Sequence, residues 1–207
     1  MDTQVERWIN APAGHHPGID AFMRDAASWG EWVFVAIVVT WFVFAWTRGR
    51  ASDRRGAILA LAGAGVALGI NQILSRIWDR PRPFVADPAR VHVLIAYARD
   101  SSFPSDHAAA GFAIALALFL IHRRLGTLTL IAAGVMSYAR VYVGLHYPSD
   151  VLVGALIGLA ATGALVLWAQ GPLAWIQHQL DRLAAAVHLP FPVADQHARS
   201  LEPQDPA

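Results

Sequence analysis

The residues best suited to chemistry lie close together in one segment, 138–150. Arg140 precedes His146 by six residues, and Asp150 follows His146 by four. An arginine binds an oxyanion through two parallel N–H groups, and a histidine can serve as nucleophile or proton carrier. A carboxylate can hold one imidazole nitrogen so that the other faces a substrate. The spacing therefore predicts phosphate chemistry at the edge of a long apolar run.

Two earlier segments, 80–84 and 102–107, supply groups that such a site would still need. The first reads Arg-Pro-Arg-Pro-Phe and the second reads Ser-Phe-Pro-Ser-Asp-His. The second precedes an apolar helical run, so free backbone N–H groups at the start of that helix can receive an anion. Because arginines can hold the anion, no metal or other cofactor is predicted. The chain contains no cysteine, which excludes disulfides and thiolate metal sites.

The composition indicates an integral membrane protein. Of 207 residues, 56% are apolar and only 15% are charged, and the mean hydropathy is +0.40. We predict a single membrane domain over residues 1–189 and a disordered, Pro-rich tail over 190–207. The net charge of +1, with arginines in separate clusters, predicts no nucleic-acid partner. The polar start, with Pro12 and Pro17, predicts no cleavable signal peptide.

Five segments approach the roughly 20 apolar residues that cross a bilayer, so the predicted fold is an all-α polytopic membrane helix bundle. These segments are 29–46, 56–74, 107–122, 126–143 and 150–169. Apolar residues at helical spacing also predict short interfacial helices at 19–28 and after Pro172. Glycines four residues apart, Gly154 and Gly158, predict close helix packing.

The arginines in the short loops predict the orientation. They cluster at 48–55 and at 123–124, and arginine-rich loops face the cytoplasm. Five spans then place the N-terminus outside and the C-terminus inside. All three polar segments consequently lie together at the outer face of the membrane.

In this order, the three segments resemble the signature of the type 2 phosphatidic acid phosphatase superfamily. Its members are membrane lipid phosphatases related to vanadium-dependent haloperoxidases. The signature is a Lys followed seven residues later by Arg-Pro, then Pro-Ser-Gly-His, then Ser-Arg with a His six residues on and an Asp four after that. The match covers 75–150 and departs from the pattern at Ser75, Asp106 and Ala139.

The Pro-Ser-Asp-His variant and the missing lysine resemble the undecaprenyl-diphosphatase branch of that superfamily. This resemblance implies a prenyl diphosphate substrate, in preference to a phospholipid, among the lipids of a bacterial cytoplasmic membrane. It also implies that His146 attacks phosphorus and becomes a phosphohistidine, that Asp150 orients it, and that His107 protonates the leaving oxygen and activates water. The side chains implied to hold the phosphoryl oxygens are Arg140, Arg82 and Ser105, with Arg76 or Arg80 in place of the lysine.

Several alternatives stay open at this level. Asp106 could favour the protonated form of His107, or it could only cap the helix. Arg76 could simply extend from a span end to the interface. The chain could bind or transport an anionic lipid without hydrolysing it, or cleave monophosphates such as phosphatidylglycerol phosphate or phosphatidic acid. A metalloenzyme could use His107, His146, Asp106 and Asp150, although these residues lack a recognised ligand spacing. The sequence does not determine the oligomeric state.

Overall fold

The structure is a computed structural model, and it describes residues 1–186. The predicted tail at 190–207 therefore lies outside the described residues. All secondary structure within residues 1–186 is helical. The helices are α1 (Asp2–Asn10), α2 (Pro17–Thr47), α3 (Ala51–Ile77), α4 (Pro83–Ala86), α5 (Asp106–Ile121), α6 (Arg123–Tyr142), α7 (Pro148–Trp168) and α8 (Gln170–Ala186).

Each of the five predicted spans coincides with part of a separate helix to within one residue at its end, which confirms the all-α membrane fold class. By length and composition, α2, α3 and α7 are able to cross a membrane, and α5 is a shorter apolar helix of 16 residues. The predicted interfacial helix at 19–28 is wrong, because those residues continue into the first span within α2. Pro17 starts α2 in a helix-compatible position, and nothing after it breaks the helix.

Helix α5 lies at the centre of the bundle, and its small residues allow the other helices to approach closely. Ala109, Ala113 and Ala117 are fully buried. On α7, a Cβ atom at Gly154 would lie 2.4 Å from the carbonyl oxygen of Ser105, and one at Gly158 would lie 2.2 Å from that of Ala109. The two glycines therefore permit the close packing that their spacing predicts. This packing places the start of α7 beside the start of α5.

The three predicted motifs meet at one end of the bundle. Helices α3 and α6 end there, and α5 and α7 begin there. Helix α1 covers this end, because the Asn10 side chain donates to the carbonyl oxygens of Tyr142 at 2.7 Å and His92 at 2.8 Å. The α2–α3 and α5–α6 loops lie together at the opposite end, where Gly56 contacts Ile121.

Helix α8 also belongs to that opposite end. Its Asp181 accepts a hydrogen bond from Arg54 of α3 at 3.2 Å, and its Gln177 donates to the carbonyl oxygen of Ala51 at 3.1 Å. A helix in this region was predicted to start behind Pro172, and it starts two residues earlier, at Gln170. These contacts tie the C-terminal helix to the arginine-bearing loops rather than to the motif-bearing end.

Candidate active site

His146 lies in the short turn between α6 and α7, where it is 2% exposed. Gly144 makes this turn possible, because its φ of +81° lies in the left-handed region that side chains with a Cβ disfavour. A Cβ atom at this position would also lie 2.7 Å from Val91. The tight turn directs the imidazole ring back into the bundle end.

The neighbours of the two ring nitrogens determine which one carries the proton. Nδ1 lies 2.8 Å from the carbonyl oxygen of Ser102 and 3.7 Å from Oδ2 of Asp150, and both of these atoms are acceptors. Nε2 lies between two guanidinium donors, 3.1 Å from Arg82 and 3.4 Å from Arg140. We therefore assign the proton to Nδ1, which donates to the carbonyl oxygen, and the lone pair to Nε2. A lone pair on a fixed imidazole is what a nucleophile requires.

Burial lowers the pKa of His146 to about 4, and the nearby charges of Arg140 and Arg82 act in the same direction. The Asp150 carboxylate opposes this shift but does not outweigh it. Because the shifted pKa lies well below 7, His146 is neutral at physiological pH. The protonation state thus agrees with the tautomer that the contacts require.

Arg82 and Arg140 form a pair of buried cations beside this nitrogen. Arg82 donates to the carbonyl oxygen of Leu145 at 3.0 Å and to Asp100 at 2.8 Å. Arg140 donates to the carbonyl oxygen of Ala27 at 3.2 Å. Its Nε atom is buried and has no hydrogen-bond partner among the described residues.

Both guanidinium groups also contact one aromatic ring. The carbon atom of each lies 4.6 Å from the ring centroid of Tyr97, within the range of a cation–π contact. The ring therefore holds two like charges side by side. Two adjacent, oriented guanidinium groups complement a tetrahedral anion.

Asp150 is fully buried, and hydrogen bonds fix both of its carboxylate oxygens. Oδ2 accepts from the Ser102 hydroxyl at 2.5 Å and from the backbone N–H of Tyr147 at 2.8 Å. Oδ1 accepts from Arg80 at 2.7 Å. Arg80 therefore lies behind the nucleophile, bound to Asp150, and it does not line the polar cavity in front of the His146 ring.

His107 lies in the first turn of α5 and faces the same cavity. Its Nε2 is 3.2 Å from the carboxylate of Glu31 on α2. The contacts of Asp106 fit neither predicted alternative, because its carboxylate accepts from Asn71 at 2.9 Å and from Gln72 at 3.5 Å. The carboxylate beside His107 thus comes from α2 and not from the preceding residue.

Ser105 provides the cap that Asp106 does not. Its hydroxyl accepts from the backbone N–H of Ala108 at 3.5 Å, and Ser105 is fully buried. Its own N–H donates to the carbonyl oxygen of Asp150 at 3.0 Å. This arrangement joins α5 to α7, and Ser105 is not among the residues that line the cavity.

A polar cavity of about 180 Å³ opens in front of the His146 ring. Ser75, which stands at the lysine position of the signature, lines it from the end of α3. Arg76 is exposed and does not line it. The lining residues are Gln72, Ser75, Arg82, Tyr97, Asp100, Ser101, Pro104, Asp106, His107 and His146.

The structure thus brings together His146, His107, Asp150, Arg82 and Arg140. Glu31 was missed, although a carboxylate inside an apolar run is a signal for function in a membrane segment. Tyr97 and Asp100 were also missed, because residues 87–101, which precede the second motif, carry no recognisable pattern. Ser102 begins the second motif, and its position in the sequence alone does not predict its bond to Asp150.

The metalloenzyme alternative finds no ligand set in the described part of the chain. Within residues 1–186, no three His, Asp or Glu side chains come together in a way that could hold a metal ion. Arg82 instead presents positive charge to the cavity, and Arg140 lies next to it on the other side of Nε2 of His146. This charge favours an anion over a cation.

Comparison with known families agrees with this geometry. Residues 55–173 match the family model described as the PAP2 superfamily. The chain belongs to the PAP2 superfamily. Membership confirms the resemblance and the predicted enzyme class, a hydrolase of phosphoric or diphosphoric ester or anhydride bonds.

Individual relatives and solved structures of this superfamily are similar over most of the chain. Undecaprenyl-diphosphatase BcrC of Bacillus subtilis is 32% identical over 80% of this chain and 82% of its own length. Decaprenylphosphoryl-5-phosphoribose phosphatase of Mycobacterium tuberculosis is 35% identical over 72% of this chain and 80% of its own length. The crystal structure of Aquifex aeolicus LpxE superimposes with a TM-score of 0.67 at 25% identity, covering 81% of this chain and 95% of that one.

Proposed function

We propose that this protein is a membrane phosphatase that hydrolyses the terminal phosphate of undecaprenyl diphosphate through a phosphohistidine intermediate. The observation that carries this proposal is the environment of His146. Its Nδ1 proton is held by the Ser102 carbonyl, and its Nε2 lone pair lies 3.1 Å and 3.4 Å from two guanidinium groups. A nucleophile placed between two phosphate-binding cations fits phosphoryl transfer.

In the first step, the Nε2 lone pair of His146 attacks the terminal phosphorus. The bond from phosphorus to the bridging oxygen breaks as the P–N bond forms, and the leaving group is the lipid monophosphate. His107 donates a proton to the departing oxygen. Arg82 and Arg140 transfer their hydrogen bonds from the imidazole to the phosphoryl oxygens, where they stabilise the developing charge.

In the second step, water breaks the P–N bond and regenerates the enzyme. His107, now without its proton, accepts one from the attacking water as the P–O bond forms. Inorganic phosphate leaves, and His146 recovers its neutral form with the proton on Nδ1. Asp150 lies 3.7 Å from that nitrogen, so its charge stabilises the imidazole ring while the ring carries the phosphoryl group.

Relatives and cavity shape support a prenyl diphosphate as the substrate. The Bacillus subtilis relative named undecaprenyl-diphosphatase aligns along most of the chain. The cavity extends from Arg82 to Gln72 and Ser75 of α3, whose neutral N–H and O–H groups can donate to a second phosphate. A lysine at position 75 would place a longer, charged side chain at the cavity. The shorter Ser75 side chain leaves more space there for a second phosphate.

The charge distribution supports an active site on the outer face of a bacterial cytoplasmic membrane. The cavity and the arginine-bearing loops lie at opposite ends of the bundle. Arg48 and Arg50 lie in the loop between α2 and α3, and Arg123 and Arg124 begin α6, directly after the turn that follows α5. Since arginine-rich loops face the cytoplasm, the cavity faces outward in this orientation.

The experiment is a phosphate-release assay with purified protein and four lipids, each with and without EDTA. The lipids are undecaprenyl diphosphate, phosphatidylglycerol phosphate, phosphatidic acid and a polyprenyl-phosphoryl pentose 5-phosphate. We expect the highest kcat/KM for undecaprenyl diphosphate, no effect of EDTA, and no turnover by the His146→Ala variant.

Each other outcome identifies a specific alternative. Faster hydrolysis of a lipid monophosphate than of undecaprenyl diphosphate would indicate that the protein is a phosphatase for that monophosphate. Tight lipid binding without phosphate release would favour the binding or transport alternative. Loss of activity in EDTA would favour a metalloenzyme and would contradict the arginine-based mechanism.

A further inference from the structure

The N-terminal helix α1 reaches the end of the bundle that holds the nucleophile, and it contributes a carboxylate there. Asp2 accepts a hydrogen bond from Arg80 at 2.6 Å and one from the Ser149 hydroxyl at 2.5 Å. A third bond comes from the backbone N–H of Ser149 at 3.1 Å. Both carboxylate oxygens of Asp2 are therefore occupied at the start of α7.

Asp2 is charged in this position. Burial alone would raise the pKa of Asp2, but the hydrogen bonds from Ser149 and Arg80 outweigh that effect and hold the pKa below its usual value. A charged carboxylate next to a guanidinium forms a strong hydrogen bond. The Asp2–Arg80 pair is therefore a defined ion pair and not a casual surface contact.

Arg80 connects this ion pair to the active site. One of its nitrogens donates to Asp2, and the other donates to Asp150 at 2.7 Å and to Ser149 at 2.7 Å. The guanidinium carbon lies 3.8 Å from the centroid of the Tyr147 ring. One planar cation thus joins the carboxylate of α1 to the carboxylate beside His146.

The other end of α1 is anchored independently. Asn10 binds the backbone of Tyr142 and, through both its amide oxygen and its amide nitrogen, that of His92. Ile9 packs against Val141 and Val151. The helix is therefore held at both ends, and it delivers Asp2 to a fixed point next to the active site.

We propose that Asp2 is a positioning residue for the nucleophile, acting through Arg80 on Asp150. The inference rests on the proposed function of His146 and Asp150. Asp2 and Asp150 together outweigh the single charge of Arg80, so the group carries a net negative charge beside the imidazole. Without Asp2, Arg80 would neutralise Asp150, and the charge that stabilises the phosphorylated ring would be lost.

Asp2 lies outside residues 55–173, the part of the chain that matches the family model. The active site of this protein therefore includes a contribution from a segment that precedes the shared domain. An assignment of site residues from the shared motifs alone cannot find it.

The test compares Asp2→Asn, which keeps the shape of the side chain but removes its charge, with Asp2→Glu and with Arg7→Ala as a control on the same helix. Arg7 pairs with Asp87 at 2.8 Å on the surface, with 43% of its side chain exposed. We expect kcat of Asp2→Asn to fall about tenfold with KM within about twofold of the parent. Asp2→Glu should recover part of the loss, and Arg7→Ala should match the parent.

Vanadate affinity provides a second measurement that does not require a known substrate. Vanadate adopts the five-coordinate geometry of phosphorus under attack, so its binding reports on the state of His146. We expect Asp2→Asn to bind vanadate about tenfold more weakly than the parent and than Arg7→Ala. If the parent protein does not hydrolyse undecaprenyl diphosphate, the proposed function fails while this comparison still tests Asp2.

Two results of the activity and vanadate assays would overturn the inference. One is an Asp2→Asn variant whose kcat and vanadate affinity both stay within twofold of the parent. The other is an equal loss in Arg7→Ala, which would show that α1 matters only for folding. Thermal unfolding of all variants would accompany the assays, and a loss that simply follows the melting temperature would likewise reject a positioning role.

Discussion

Replacing Arg82 with lysine tests the geometry of the phosphate site more sharply than replacing it with alanine. The guanidinium makes three hydrogen bonds, to Asp100, to the carbonyl oxygen of Leu145 and to Nε2 of His146. Lysine keeps the positive charge but has a single nitrogen in place of a planar fork. The substitution therefore removes orientation while it leaves the net charge of the site unchanged.

The size of the expected effect follows from the bonds lost. The ammonium group of lysine can still reach one phosphoryl oxygen, but the variant loses at least one charge-assisted hydrogen bond to the substrate. Such a bond contributes about 1.5–3 kcal/mol. At about 1.4 kcal/mol per tenfold change in rate, kcat/KM for Arg82→Lys should fall roughly 10- to 150-fold. Arg82 is only 4% exposed, so solvent cannot replace the lost donor.

The assay is steady-state phosphate release from undecaprenyl diphosphate in detergent, with Arg90→Lys as the matched control. Arg82 lies immediately before α4 and Arg90 lies shortly after it. The side chain of Arg90 is 67% exposed, and its ion pair with Asp87 is long, at 3.9 Å. The control should match the parent. If Arg82→Lys retained the parent kcat/KM and melting temperature, the planar fork would not matter and our account of the phosphate site would be wrong.

Three further predictions follow from the same contacts. Arg76→Ala should keep kcat/KM within about twofold, because Arg76 is exposed and away from the cavity; a loss beyond tenfold would return it to the phosphate site. Ser102→Ala removes the 2.5 Å bond to Asp150 and should lower the free energy of unfolding by about 1–3 kcal/mol, a change that an unaltered denaturation curve would disprove. Because the pKa of His146 is lowered to about 4, the unfolded chain binds a proton between about pH 6.5 and pH 4 that the folded chain does not. The free energy of unfolding should then fall by about 3 kcal/mol over that range, and His146→Ala should lack this component when the two proteins are compared by denaturation at pH 7 and pH 4.

Much of the fold could be predicted, because the length of an apolar segment and the spacing of its small residues can both be read from a short stretch of sequence. The five apolar segments correspond to α2, α3, α5, α6 and α7, and Gly154 and Gly158 give the close approach of α7 to α5. The continuity of α2 could not be predicted in this way. An amphipathic stretch and an apolar stretch were read as two helices, whereas no residue between them ends the helix.

The candidate site was predictable as far as its motifs extend. His146, Asp150, Arg82 and Arg140 come together because the motifs that contain them lie at helix ends, and helix ends meet at one end of a bundle. The contacts between motifs were not predictable, since they depend on packing. Arg80 appeared suited to phosphate, yet the start of α7 places Asp150 within its reach.

Glu31 and Asp2 lie outside the motifs, and their contacts with site residues could not be predicted either, because these contacts also depend on how the helices pack. Glu31 reaches His107 only because α2 packs closely on α6 at Gly30, where an added Cβ atom would lie 2.7 Å from the sulfur of Met136. Asp2 reaches Arg80 because Asn10 anchors α1 across the bundle end. No local pattern encodes such distances in the chain.

The central claim is that Nε2 of His146 forms a covalent bond to phosphorus, and direct detection of that bond tests it most directly. The measurement is a rapid alkaline quench of the enzyme during turnover of undecaprenyl diphosphate labelled in its terminal phosphate, followed by peptide mass spectrometry. We predict an alkali-stable, acid-labile phosphoryl group on the peptide that contains His146, and no label in His146→Ala. Continued turnover without label on that peptide, or phosphate release by His146→Ala at the parent rate, would contradict the account.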